Sequence, residues 1–275
     1  MKPLTKCLLY TVVGLTIGAF CISLSMTTYR SYYDNPRIYG VLWHQWEDAF
    51  QNNTYVWQQP QPVVITEVTF VVMASSVNMQ RHVSQRLTWM RHIPHIYAFS
   101  DADTTYTMTL PELVGKTTWL DAQHRQLRGM QWLLRQDTPL TRWYVLVDDD
   151  TWVHVPMLLT YLGLLQHNKS LISGYRHQSG VFNGGAGIVL SQRAFQRIAS
   201  ALYTPQCPIE VTNDNTVSHC AERLGAFTFI HSTLFSFYPS WITAADDFID
   251  KVSVHPVKDA VLMREMTREI EKHFQ

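Results

Sequence analysis

The chain has 275 residues, with lysine plus arginine equal to aspartate plus glutamate at 22 each. That balance offers no basic surface for a nucleic-acid polyanion and excludes such a partner. A hydrophobic content of 46%, with nine tryptophans, excludes a disordered or fibrous chain and supplies the core of one domain of ordinary-to-large size.

In chain order, residues 1–6 form a short tail carrying Lys2 and Lys6. Cys7 to Met26 contains no charged residue. As a helix it would span ~30 Å, the thickness of a bilayer core, and the flanking lysines would leave the amino terminus in the cytosol. A cleaved signal peptide is the competing reading. The run exceeds an ordinary h-region and lacks an A-x-A site, so an uncleaved signal-anchor at 7–26 is expected. Residues 27–62 have no sustained period and read as a luminal stem, whose Trp43, Trp46 and Trp57 would give it apolar surface to pack back onto the domain. Asn52 and Asn168 open two glycosylation sequons, Asn-Asn-Thr and Asn-Lys-Ser.

Residues 63–275 form the globular domain. Val68 to Ala74 is predicted as a strand ending at Ser75-Ser76, then a helix with Met79, Val83, Leu87 and Met90 on its apolar face. His95 to Phe99 is a second strand, and Leu120 to Gln136 a helix burying Leu127, Met130 and Leu134. Trp143 to Val147 is an apolar run with the character of a strand buried on both faces. A helix follows from about Val155 to Gln166, with Pro156 suiting its first turn. This alternation predicts a parallel sheet covered by helices on both faces.

The second half is less regular: a strand at Leu171 to Tyr175, the glycine run Gly184-Gly185-Ala186-Gly187, and a helix at Gln192 to Leu202. A loop bounded by Cys207 and Cys220 and holding Asn213-Asp214-Asn215 comes next. It is followed by strands near Ala226 to His231 and Val252 to His255, and a helix from Lys258. Spacing alone leaves Cys207 and Cys220 open between a disulfide and two free thiols. The amino-terminal segment, implying an oxidising compartment, favours the disulfide.

The chemistry concentrates where the central strand runs into Asp148-Asp149-Asp150. At ~5 Å and an effective dielectric of ~20, each like-charge pair repels by about 3 kcal/mol. A cation would remove that cost, and hard oxygen ligands at the carboxyl end of a strand suit Mg²⁺ or Mn²⁺. The bland alternative is one Asp capping the next helix and two solvated. An aspartyl-nucleophile phosphatase would need D-x-D-x-T, and Trp152 stands where that threonine belongs.

With these residues in view, the chain resembles the Fringe-like β-1,3-glycosyltransferases, glycosyltransferase family 31. The likeness rests on Arg86-Leu87-Thr88-Trp89, on Asp148-Asp149-Asp150-Thr151-Trp152-Val153 beside the family's DDDTYV, and on Gly184 to Ser191 beside GGAGYVLS. It also rests on the acidic residue before the second cysteine. Val252-Ser253-Val254-His255-Pro256-Val257 is similar to the VSFHYV of core-1 β-1,3-galactosyltransferases. The sequence departs from the family pattern at Asn213, where an acid usually precedes the catalytic position, and over Ser232 to Asp250.

The resemblance implies an α/β fold of GT-A type, a Rossmann-like sheet flanked by helices behind a transmembrane anchor. It implies a UDP-sugar donor with UDP-galactose first and N-acetylglucosamine second, Mn²⁺, and inversion. The acceptor would be a glycoprotein glycan, the location a Golgi or ER membrane of type II topology, and a homodimer is left open. Residue by residue, Asp148 and Asp150 match the metal-binding D-x-D, with His255 completing the metal shell and His231 its rival. Asp214 matches the general base. Ser75, Arg86, Asp149, Gly184 and Gly185 would meet the nucleotide sugar, and Phe182, Tyr238 and Trp241 the acceptor. A catalytically inactive carbohydrate-binding relative is the alternative of another class.

Overall fold

The computed structural model describes residues 61–136, 140–237 and 248–273. The tail, the anchor expected at 7–26 and the stem as far as residue 60 lie outside the described residues, as do Asn52, Tyr238 and Trp241. No helix among the described residues is long and apolar enough to cross a membrane.

Strand and helix alternate from β1 (Val68–Met73) through α1 (Met79–Leu87), β2 (Ile96–Ser100), β3 (Met108–Thr109) and α2 (Trp119–Leu134) to β4 (Trp143–Asp148). Then come β5 (Trp152–Val153), α3 (Val155–Leu164), β6 (Leu171–Gly174), β7 (Ile188–Ser191), α4 (Gln192–Ala201) and α5 (Asn213–Leu224). The chain closes with β8 (Thr228–His231), β9 (Phe235–Phe237), β10 (Ser253–His255) and α6 (Ala260–His273). One sheet has seven strands in the order β3-β2-β1-β4-β7-β6-β8, and a second has three in the order β5-β10-β9.

β4 shows why its sequence is unbroken in apolar character. It is central, pairing along its two edges with β1 in parallel and with β7 in antiparallel register, and every residue from Trp143 to Val147 is buried. With a two-residue period, Trp143, Val145 and Val147 enter one buried cluster, while Tyr144 and Leu146 enter the cluster on the opposite face.

Three expectations need correction. The sheet is mixed, because β7 runs antiparallel to both β4 and β6. Helix α1 buries His82 and Gln85, and Leu87 is 65% exposed. The polar side of α1 faces the molecule because it packs over the acidic turn, where hydrogen-bonding groups are needed. The cysteine-bounded stretch around Asn213 is the start of α5, with the Thr212 side chain accepting from the Asn215 N–H as its cap. Elsewhere the periodicity holds closely: α2 buries Leu127, Met130 and Leu133, and Leu134 packs half-buried against the same cluster. Cys207 and Cys220 are joined, fastening the segment after α4 to the middle of α5.

Candidate active site

The acidic turn is held from several sides. Gln85 donates from one amide nitrogen to the carbonyls of Asp148 and Thr151, each at 2.8 Å. The Thr151 hydroxyl accepts the Asp148 N–H at 3.1 Å and donates to the Gly185 carbonyl at 2.8 Å. The Asp149 N–H reaches the Met73 carbonyl at the end of β1. The three carboxylates are therefore fixed at the carboxyl ends of β1 and β4, where open α/β sheets bind ligands.

His255 arrives from the far end of the chain. β10 pairs with β5 through Val254 and Trp152, two residues after Asp150, and this delivers the imidazole to the acids. His255 Nε2 lies 3.1 Å from Asp150 Oδ1 and 3.8 Å from Asp148 Oδ2. Ligand atoms of Asp148, Asp150 and His255 all fall within 4.8 Å of one another. The approach requires glycine at 185, since a Cβ there would stand 2.3 Å from the imidazole ring. Two carboxylates and an imidazole suit a hard or borderline divalent cation, and Asp148 Oδ1 is buried without a hydrogen-bond partner. The donor set fits a metal.

The electrostatics say the same. Burial, partly offset by His255 and reinforced by the Asp150 and Asp214 charges, pushes the Asp148 carboxyl up to about 7. Burial and its two acidic neighbours push Asp149 to about 7 as well. Burial opposes ionisation of Asp150, but the hydrogen bond and charge of His255, then Arg81 and Lys258, hold it below the usual carboxylate range. His255 is moved the other way: burial resists its charge, and the two carboxylates outweigh that and raise it.

Asp214 sits in the first turn of α5, where the helix dipole favours a carboxylate. Its Oδ1 accepts the Asn215 N–H at 2.8 Å and the Thr212 hydroxyl, and its Oδ2 accepts the Gly184 N–H at 3.3 Å. Asn213 anchors the turn: its amide donates to Gln126 at 2.6 Å, and its N–H donates to Gln123 at 3.1 Å. Gln126 in turn donates to the carbonyls of Val71 in β1 and Val147 in β4. Asn213, the departure noted in the sequence, therefore serves as a buried strut. Gly184 touches Asp214 and Gly185 touches His255, so the glycine run lies between the carboxylate of α5 and the acid–imidazole group.

The other expected residues divide. Ser75 lies partly exposed two residues past the carboxyl end of β1. Arg86 turns to the Tyr106 ring, 6.0 Å from its centroid, and it is Arg81 that faces the carboxylates. Phe182 is fully buried beside Phe229, so its ring belongs to the core and not to the cleft surface. His231 accepts the Arg176 N–H at 3.0 Å and stands outside the acid–imidazole group, which takes His255. Asn168 is exposed. Sequence reasoning missed Arg81, Gln85 and Gln126, which carry polar side chains on helices and no motif signal of their own.

A solved structure similar to the chain is a "glycosyltransferase involved in the glycosylation of the major capsid of PBCV-1", at 13% identity and a TM-score of 0.45, over 72% of this chain and 98% of that one. The family model described as Fringe-like matches residues 22–255, most of the chain. The chain belongs to the Fringe-like family of glycosyltransferases.

Proposed function

We propose that the protein transfers a sugar, galactose first, from a UDP-sugar to a hydroxyl of a glycoprotein glycan, with inversion and a β-1,3 linkage. The observation behind this reading is the meeting of Asp148, Asp150 and His255 with Asp214 across Gly184 and Gly185. A divalent cation held by Asp148, Asp150 and His255, with Mn²⁺ the expected one, would offset the charge that grows on the departing diphosphate. Asp214 takes the proton from the acceptor hydroxyl as that oxygen attacks the anomeric carbon. Thr212 and the Asn215 N–H hold one carboxylate oxygen of Asp214, which aims the group before the acceptor arrives.

Galactose rests on the likeness of Val252 to Val257 to core-1 enzymes, and N-acetylglucosamine, the Fringe-type donor, is the alternative. A GT-A fold and a single-pass anchor with the catalytic domain in the Golgi or ER lumen belong to the same reading. A panel of UDP-sugars with Mn²⁺ and glycopeptide acceptors tests it. Turnover with UDP-galactose, abolished by EDTA and restored by Mn²⁺, is expected. Absence of both transfer and donor hydrolysis with every UDP-sugar would favour an inactive carbohydrate-binding relative.

A further inference from the structure

Arg81 lies one helical turn before Gln85 on α1, so the residue that grips the acidic turn also fixes where Arg81 stands. Its Nη1 is 3.7 Å from Asp149 Oδ1 and 3.5 Å from Asp150 Oδ2. These are ion-pair distances too long for tight hydrogen bonds, so charge holds the guanidinium there without locking it. The side chain is 24% exposed, whereas the two carboxylates are about a tenth exposed. Arg125, the other arginine near these acids, is fully buried. It is committed to Asp101 at 3.1 Å and to the carbonyls of Ala74 and Lys116. Arg81 is thus free to change partners and Arg125 is not.

The geometry points to Arg81 as an exchangeable counter-charge: it neutralises Asp149 and Asp150 before a divalent cation is bound, then passes to the diphosphate of the nucleotide donor. The inference rests on the reading of this cluster as a metal and UDP-sugar site. Until a divalent cation arrives, the Arg81 guanidinium is the arginine charge that stands against both Asp149 and Asp150. The cation displaces the need for Arg81 at Asp150. A planar guanidinium one-quarter exposed beside the acids is then suited to a bidentate grip on phosphate oxygens, which a lysine ammonium cannot reproduce.

The exchange predicts opposite signs for two affinities of one variant, which a merely structural role does not. Titration calorimetry of the full-length protein would follow Mn²⁺ alone, then UDP at saturating Mn²⁺, for wild type, Arg81→Met and Arg81→Lys. Removing a positive charge beside the cation site should tighten Mn²⁺ binding by about 5- to 10-fold in Arg81→Met. The same variant should weaken UDP by about 10- to 100-fold, through loss of the charge-assisted pair. Arg81→Lys should bind Mn²⁺ as wild type does and weaken UDP by a smaller factor. If wild type binds both ligands and Arg81→Met shifts neither, or weakens Mn²⁺, the exchange is wrong while the site reading stands. Wild type binding neither Mn²⁺ nor UDP would overturn the site reading and this inference with it. Arg81→Lys keeps the test decisive should Arg81→Met fold poorly.

Discussion

At the scale of single residues, the site is a set of titrating groups whose balance a bound cation would change. The Asp148 carboxyl, pushed to about 7 chiefly by burial, keeps its proton well above the unfolded value of about 4. A raised carboxyl binds more protons folded than unfolded between those values, so its contribution to cation-free stability falls as pH rises through that window. His255, raised above its ordinary value, contributes stability that is likewise lost as pH rises through its folded pKa. Asp150 is held low, so its contribution is complete above the ordinary carboxylate range and adds no opposing slope near neutrality. The gain in melting temperature on adding Mn²⁺ should therefore be larger at pH 8 than at pH 5, where protons on Asp148 and His255 compete with the cation. Melting curves at both pH values, with EDTA or Mn²⁺, check this, and an equal Mn²⁺ gain at both would contradict it.

Asp214 gives a second prediction at this scale. Asp214→Asn preserves size but cannot accept the acceptor's proton, so turnover should fall by about 10²–10⁴-fold. UDP and Mn²⁺ affinity should hold, because Asp148, Asp150 and His255 are untouched. Steady-state kinetics beside calorimetry separate the two, and near-wild-type turnover would remove Asp214 from the mechanism. Asp148, Asp150, Asp214 and His255 were legible because each lies in a motif. Arg81 and Gln85 were not: the apolar residues of that helix suggested a core face through Met79, Val83 and Leu87. Nothing in a helical period reveals that a glutamine will be buried to bind two carbonyls.

At the scale of elements, the alternation of strand and helix through β4 was readable because β4 is apolar on both faces and the helices repeat at helical spacing. The direction of β7 was hidden, since a run such as Ile188-Val189-Leu190 packs equally well either way round. Helix α5 was hidden because Asn213-Asp214-Asn215 favours turns as readily as a helix start, and only the Thr212 cap and the Gln126 strut decide it. That strut is testable. Gln126→Leu leaves the Asn213 amide and the Val71 and Val147 carbonyls short of a partner in a buried setting. With about 1–3 kcal/mol for an orphaned group and partial relaxation, a stability loss of about 3 kcal/mol is expected. Turnover should fall by about 10-fold as Asp214 loses its aim, with Mn²⁺ affinity unchanged. Urea denaturation and kinetics would show it, and a stable variant with full turnover would deny α2 its part in placing the base.

At the scale of the whole molecule, the site depends on a union between the middle of the chain and its end. β5 follows the acidic turn directly and pairs with β10, so the segment that supplies His255 is docked by the same residues that leave the aspartates. Trp152 is the hinge of that union in packing terms. It is 1% exposed, meets Phe248 edge-on at 5.2 Å between ring centroids, and donates from Nε1 to the Thr267 hydroxyl of α6 at 3.1 Å. In the sequence it reads as a variant of the family's tyrosine within a metal motif. Its partners lie about a hundred residues further on, at a distance that local pattern does not reach. Trp152→Phe keeps much of the ring contact and loses the hydrogen bond, costing about 1 kcal/mol, while Trp152→Ala opens a cavity and costs about 3–5 kcal/mol. Mn²⁺ affinity should stay within about 2-fold in the phenylalanine variant, because β10 keeps its seat. It should drop by at least about 10-fold in the alanine variant, where His255 is no longer held against Asp150. Denaturation and calorimetry on the same preparations make the comparison. If Trp152→Ala folds and binds Mn²⁺ as wild type does, the imidazole is held by Gly185 and Asp150 alone, and the carboxy-terminal segment is not what builds the site.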